Sequence, residues 1–183
     1  MWYDITMAVA EDIRREFLAL YDRETNSLFR HVFLRCRDRE RSKDIVQEAF
    51  CRVWSSLARG AAIEQPRAFL YRVARNVMID MARKKREALF AESDDVDLFE
   101  DHAMTGKAEE DAEYGRALEA IATLSREYRE AFTMRFVDDF SPKEIAEILG
   151  VSANVVSVRI TRAAKELRKR LGVDHAQAVT TTL

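Results

Sequence analysis

A chain of 183 residues, 48% of them apolar, is long enough for one medium domain or two small ones, and its 5 Gly and 2 Pro form no glycine-rich turn clusters. Abundant Leu, Ala, Glu, Arg and Lys favour helices and argue against a β-sandwich or a nucleotide-binding βαβ unit. The net charge of −2 hides an asymmetry: residues 87–113 hold eleven acids and one lysine, a net of −10, which leaves +8 for the rest.

The elements follow in chain order. Val9, Ile13, Phe17 and Leu20 make a helical stripe within Thr6 to Tyr21. Leu28, Val32, Phe33 and Cys36 make a second, and the polar stretch Arg37 to Lys43 follows. Ser42 is the candidate N-cap of a third helix, with Asp44 in its first turn. Ile45, Val46, Ala49, Phe50, Val53, Trp54 and Leu57 give that helix a wide apolar face. Pro66 starts a fourth helix, which buries Phe69, Leu70, Val73, Val77 and Met81 and ends in Arg83-Lys84-Lys85-Arg86. Glu87 to Asp111 loses periodicity and reads as a flexible acidic linker. Beyond it, Leu118, Ile121 and Leu124 form one stripe, and Ala131, Phe132 and Phe136 the next.

Ser141-Pro142-Lys143-Glu144 is a helix start with a capping box. Ile145, Ala146 and Leu149 face inward, and Gly150 sits where a left-handed stop is needed. Ser152 caps the next helix, whose core side is Val156, Ile160, Ala163, Ala164, Leu167 and Leu171. A short helix, a turn with Gly150 and a longer helix fit a helix-turn-helix. Asn154, Ser157, Val158, Thr161, Arg162 and Lys165 then point outward, with types suited to base edges and phosphates. An ordinary helical bundle with a solvated basic face would show the same local pattern.

Two further faces carry chemistry. Arg67, Phe69, Tyr71, Arg72, Arg75, Asn76 and Arg83 to Arg86 interleave aromatic and basic groups, as single-stranded nucleic acid requires. Alternatively, Phe69 is core and Tyr71 a partly exposed packing residue. Asp44, Gln47 and Glu48, beside exposed bulk such as Val46 and Phe50, suit a protein partner or form a plain solvated edge. Cys36 and Cys51 read as a buried reduced pair, as in a cytosolic protein. No metal-ligand spacing links His31, His102, His175 and the cysteines, and there is no phosphate loop or paired nucleophile and base, so neither an enzyme nor a cofactor is expected. No apolar run is long enough for a membrane span, and no basic-then-apolar leader precedes Glu11 and Asp12.

Asp44-Ile45-Val46-Gln47-Glu48-Ala49-Phe50 with Val53-Trp54 resembles the polymerase-binding segment of bacterial sigma factors. Ala68 to Asn76 resembles the segment that follows it in that family, and Ser141 to Leu171 its C-terminal helix-turn-helix. With only these domains and a short linker, the chain resembles the extracytoplasmic-function class of the sigma-70 family. The resemblance implies an all-α protein. A four-helix region-2 domain would span 1–86, an acidic linker 87–111, a region-4 domain 112–172 and a tail 173–183.

It also implies roles. Asp44, Gln47, Glu48 and Phe50 would dock on the β′ clamp helices of core RNA polymerase. Arg67, Tyr71, Arg72, Arg75, Asn76 and Arg83 would open the −10 promoter element and hold an extruded base. Lys143, Asn154, Ser157, Val158, Arg159, Thr161, Arg162 and Lys165 would read the −35 element, while the same domain touches the β flap. The acidic linker would thread the basic channels of the polymerase. An anti-sigma factor would control the protein, in a cytoplasmic stress response, with no small-molecule substrate. Departures from the family are Asn154-Val155 for Gly-Thr, Ser157-Val158 for a basic residue and serine, and Ser125 for Pro. A sigma mimic that titrates an anti-sigma factor would not need the basic runs Arg83 to Arg86 and Arg168 to Arg170. A plain repressor would leave the Asp44 face unexplained.

Overall fold

The computed structural model describes residues 2–88 and 119–171, with side chains from 11 to 84 in the first stretch and throughout the second. The residues from 89 to 118, which include most of the expected acidic linker, and the expected tail lie outside the described residues. All regular structure among the described residues is helical, in two compact units.

The first unit holds α1 (Trp2–Cys36), α2 (Arg39–Ala58) and α3 (Pro66–Ala88). Three helices stand where four were expected, because α1 runs without a break through Asp22 to Ser27. The apolar stripe is interrupted there because its next position is a charge. Glu24 lies one turn from Leu20 and one from Leu28, and all three are buried. Its carboxylate takes Arg23 at 2.9 Å and Arg67 of α3 at 3.1 Å. A paired charge can occupy a core position that an isolated one cannot.

Asp38, not Ser42, caps α2: its side chain accepts from the Arg41 N–H at 3.0 Å. Ser42 is buried one turn inside the helix and donates to the Asp38 carbonyl at 2.6 Å. Pro66 begins α3 as expected. The three helices bury Leu28, Val32, Ile45, Ala49, Val53, Leu70, Ala74 and Val77, each large aliphatic group contributing about 1.5–3 kcal/mol.

The second unit holds a helical stretch at 119–122, then α4 (Arg126–Phe136), α5 (Pro142–Leu149) and α6 (Ala153–Leu171). Ser141 accepts from the Glu144 N–H while Glu144 reaches back to the Ser141 N–H at 2.8 Å, so the capping box forms. Gly150 ends α5 at φ 69°, ψ 35°, where a side chain would be strained. The Ser152 hydroxyl accepts from Val155 N–H at 3.3 Å and starts α6. Met134, Phe140, Ile145, Val156 and Ala163 are fully buried between the helices. Two expected core residues lie at the surface: Phe136 is 60% and Leu171 46% exposed.

Asp139, between α4 and α5, is the left-handed residue of this connection at φ 55°. Its side chain is 97% exposed, so the backbone dominates its energetics. Asp139→Val is expected to cost the unit about 1–2 kcal/mol, because a branched β-carbon crowds the backbone there. That lowers Tm by roughly 5 °C, whereas Asp139→Gly leaves it unchanged or higher. Calorimetry of the two variants checks this; an unchanged Tm for the valine variant contradicts it.

Candidate interaction faces

The outer face of α2 is acidic and organised. Arg52 donates to Glu48 at 2.7 Å along the helix and to Asp80 of α3 at 3.3 Å. The hydrogen bond it donates to Glu48 holds its guanidinium above the usual range, against the opposing loss of hydration and with further help from the bond to Asp80. Asp44 and Gln47 are exposed, and Asp44 has no ion-pair partner among the described residues. Asp44 is therefore the carboxylate of this face still available to a partner. A groove of about 350 Å³ between α2 and α3 runs past Asp44, Gln47, Glu48 and Asp80.

Val46 and Phe50 are not exposed as expected: they retain 7% and 3% of their surface. The Phe50 ring lies 4.7 Å from that of Tyr21 and 6.1 Å from that of Phe17. It forms the floor of a groove of about 810 Å³ between α1 and α2, with Leu18 and Trp54 on its walls and Arg14, Arg39 and Lys43 at its rim. Phe50 can meet a partner only through that opening.

The face of α3 is phased differently from the sequence reading. Its core stripe is Leu70, Tyr71, Ala74, Val77 and Met78, whereas Phe69 and Val73 are only half-buried. Tyr71 is fully buried, with His31 edge-on at 4.9 Å, so its ring cannot stack on a base here. Arg67 is also largely committed, to the buried Glu24 and over the Tyr71 ring at 5.6 Å. Burial works against its charge, but Glu24 and Tyr71 outweigh this and hold the guanidinium above its usual range.

His31 receives Arg35 at 2.8 Å on Nε2. Arginine can only donate, so the His31 ring nitrogen is the acceptor in this contact. Arg72 and Asn76 are exposed, and Arg72 covers the half-buried Phe69 ring at 5.2 Å. Arg75 is half-buried, and Arg83 is exposed, 3.7 Å from Asp80. Phe69 is thus the aromatic nearer the surface, and the residue type alone gave no sign of it. Glu24 and His31 were also missed; their one sequence signal is helical spacing from Leu20 and Leu28.

On α6, Asn154, Ser157, Val158, Thr161 and Lys165 are exposed and lie opposite the buried Val156, Ala163 and Leu167. The hydroxyls of Ser157 and Thr161 donate to carbonyls one turn back, both at 2.9 Å, which fixes their rotamers and leaves acceptor lone pairs outward. Lys143 is exposed at the start of α5. Arg159 departs from this face: its side chain is 18% exposed and bound to Glu127 of α4 at 2.9 Å. Arg162 is exposed and meets the Tyr128 hydroxyl at 3.4 Å.

The cysteines are not a buried pair. Both are free thiols; Cys36 is half-buried and Cys51 exposed. Burial first of all pushes the Cys36 thiol up to about 11, against Arg41 and Arg35, so it stays protonated at neutral pH. Among the described residues no group of three His, Cys, Asp or Glu is placed to hold a metal ion, and no helix is long and apolar enough to cross a membrane.

Comparison with known proteins matches residues 20–88 to Sigma-70 region 2 and residues 114–167 to Sigma-70, region 4. The ECF RNA polymerase sigma factor SigW of Bacillus subtilis is 31% identical over 140 residues, covering 71% of this chain and 75% of the relative. The ECF RNA polymerase sigma factor SigL of Mycobacterium tuberculosis is 29% identical over 154 residues, covering 84% and 87%. Among solved structures, the sigma factor RpoE of Bartonella quintana, bound to the anti-sigma factor NepR, has a TM-score of 0.66 at 22% identity, covering 90% of this chain and 99% of that one. CnrH, bound to the cytosolic domain of CnrY, has a TM-score of 0.64 at 24% identity, covering 92% and 97%.

Proposed function

This chain belongs to the extracytoplasmic-function sigma factors of RNA polymerase, and on that premise we propose how its faces divide the work of directing promoter-specific initiation. The observation that carries the division is the opposite chemistry of two helices. The α2 face offers Asp44 as an available carboxylate beside Gln47 and Glu48, whereas the outer face of α6 offers Asn154, Ser157, Thr161 and Lys165.

The acidic α2 face docks on the β′ clamp helices of core polymerase, with Phe50 reached through the α1–α2 groove. Rim charges of this kind steer encounter and fix register. On α3, Arg72, Arg75, Asn76 and Arg83 hold the opened −10 strand. Extruding a base costs a few kcal/mol, which stacking and pocket hydrogen bonds offset. Phe69 under Arg72 replaces Tyr71 as the aromatic available for stacking.

The α6 face reads the −35 element in the major groove through Asn154, Ser157, Val158 and Thr161, with Lys143, Arg162 and Lys165 near phosphates. Residues 1–86 and 112–172 act as the two functional domains, the second also touching the β flap, and the acidic stretch 87–111 threads the polymerase's basic channels. The two solved neighbours were captured with protein partners of their own, which supports control of this chain by an anti-sigma factor in the cytoplasm, where it acts on the polymerase without being an enzyme itself.

Holoenzyme assembled from this chain and core polymerase should make −10 thymines reactive to permanganate on a selected genomic promoter. A folded, core-bound protein that leaves them unreactive overturns the division.

A further inference from the structure

Two consecutive residues of α4 occupy the flank of the reader helix. Glu127 binds Arg159 at 2.9 Å, and the Tyr128 hydroxyl meets Arg162 at 3.4 Å. The two partners differ in exposure. The Glu127 side chain keeps 65% of its surface, whereas Arg159 keeps 18%. Along α6, Arg159 and Arg162 are three residues apart on the α4-facing flank, while Asn154, Val158, Thr161 and Lys165 face away from the core and Ser157 lies on the opposite edge of that face. A guanidinium at the edge of a groove-reading helix is a ready phosphate contact, and such contacts carry no sequence information.

We infer that Glu127 sets the sequence-independent DNA affinity of α6 by holding Arg159 away from the phosphate backbone. The inference rests on the reading of α6 as the −35 helix. Phosphate contacts apply at every site of a genome, so one contact removed weakens the competition from non-specific sites. Arg162, which among the described residues meets a neutral hydroxyl, remains able to turn to DNA.

The test measures binding of the full chain to a random-sequence duplex by fluorescence anisotropy across a salt series. Glu127→Gln is expected to steepen the slope of log affinity against log salt by about 0.9, and to tighten binding roughly 3–5-fold at the low-salt end. Arg159→Ala alone should leave the slope at its wild-type value, since Arg159 makes no phosphate contact there. The double variant should return to that value. Circular dichroism confirms that each variant is folded. An unchanged slope for Glu127→Gln, or a slope made shallower by Arg159→Ala alone, overturns the inference and leaves the α6 reading standing. A wild type without salt-dependent DNA binding removes the α6 reading and the inference with it.

Discussion

Asp44→Arg is expected to weaken binding to core RNA polymerase about 100-fold, because a like-charge contact at an interface costs several kcal/mol and each 1.4 kcal/mol is tenfold. The position suits the test. Asp44 is exposed on α2 and has no ion-pair partner among the described residues, so the free protein loses nothing it relies on. Its Tm should therefore move by no more than about 2 °C. Glu48→Arg would be a poorer test, since Glu48 and Asp80 share Arg52, and the change would also disturb the α2–α3 contact. Binding of Asp44→Arg measured by competition for core polymerase decides the matter: wild-type affinity would remove Asp44 from the interface.

Tyr71→Ala should destabilise the first unit by about 3–5 kcal/mol, the range for removing a large buried aromatic side chain. Tyr71 is fully buried, packs edge-on against His31 and lies under Arg67. Its loss would open a cavity beside His31 and loosen Arg67 from Glu24, an ion pair between α3 and α1. Thermal unfolding of the full chain should show the first unit melting early. If the variant kept the wild-type Tm and lost only −10 opening, the ring would belong to the DNA site instead.

Local rules were legible in the sequence. The capping box of Ser141 and Glu144, the left-handed Gly150, Pro66 at the start of α3 and the outward stripe of α6 depend on neighbouring residues alone, and all are present. Features set by a distant partner were not. Glu24 reads as a break in the α1 stripe until Arg67, far along the chain, is seen to pair with it. Tyr71 and Phe69 exchange their expected places because apolarity drew the stripe through Phe69 and Val73. Packing instead uses Leu70, Tyr71, Ala74 and Met78, including small and semi-polar residues. Arg159 carries a DNA-binding residue type, yet Glu127 takes its charge. Asp38 outcompeted Ser42 as a cap, an ambiguity that only the chain path resolves.

As a sigma factor, this chain directs core polymerase to its own set of promoters. The direct measurement is transcription in vitro from a genomic fragment library, with purified core polymerase and with or without this chain. Transcripts are expected to appear only with the chain and to start downstream of a shared pair of −35 and −10 sequences. Transcripts identical with and without a folded, core-bound chain would contradict that role.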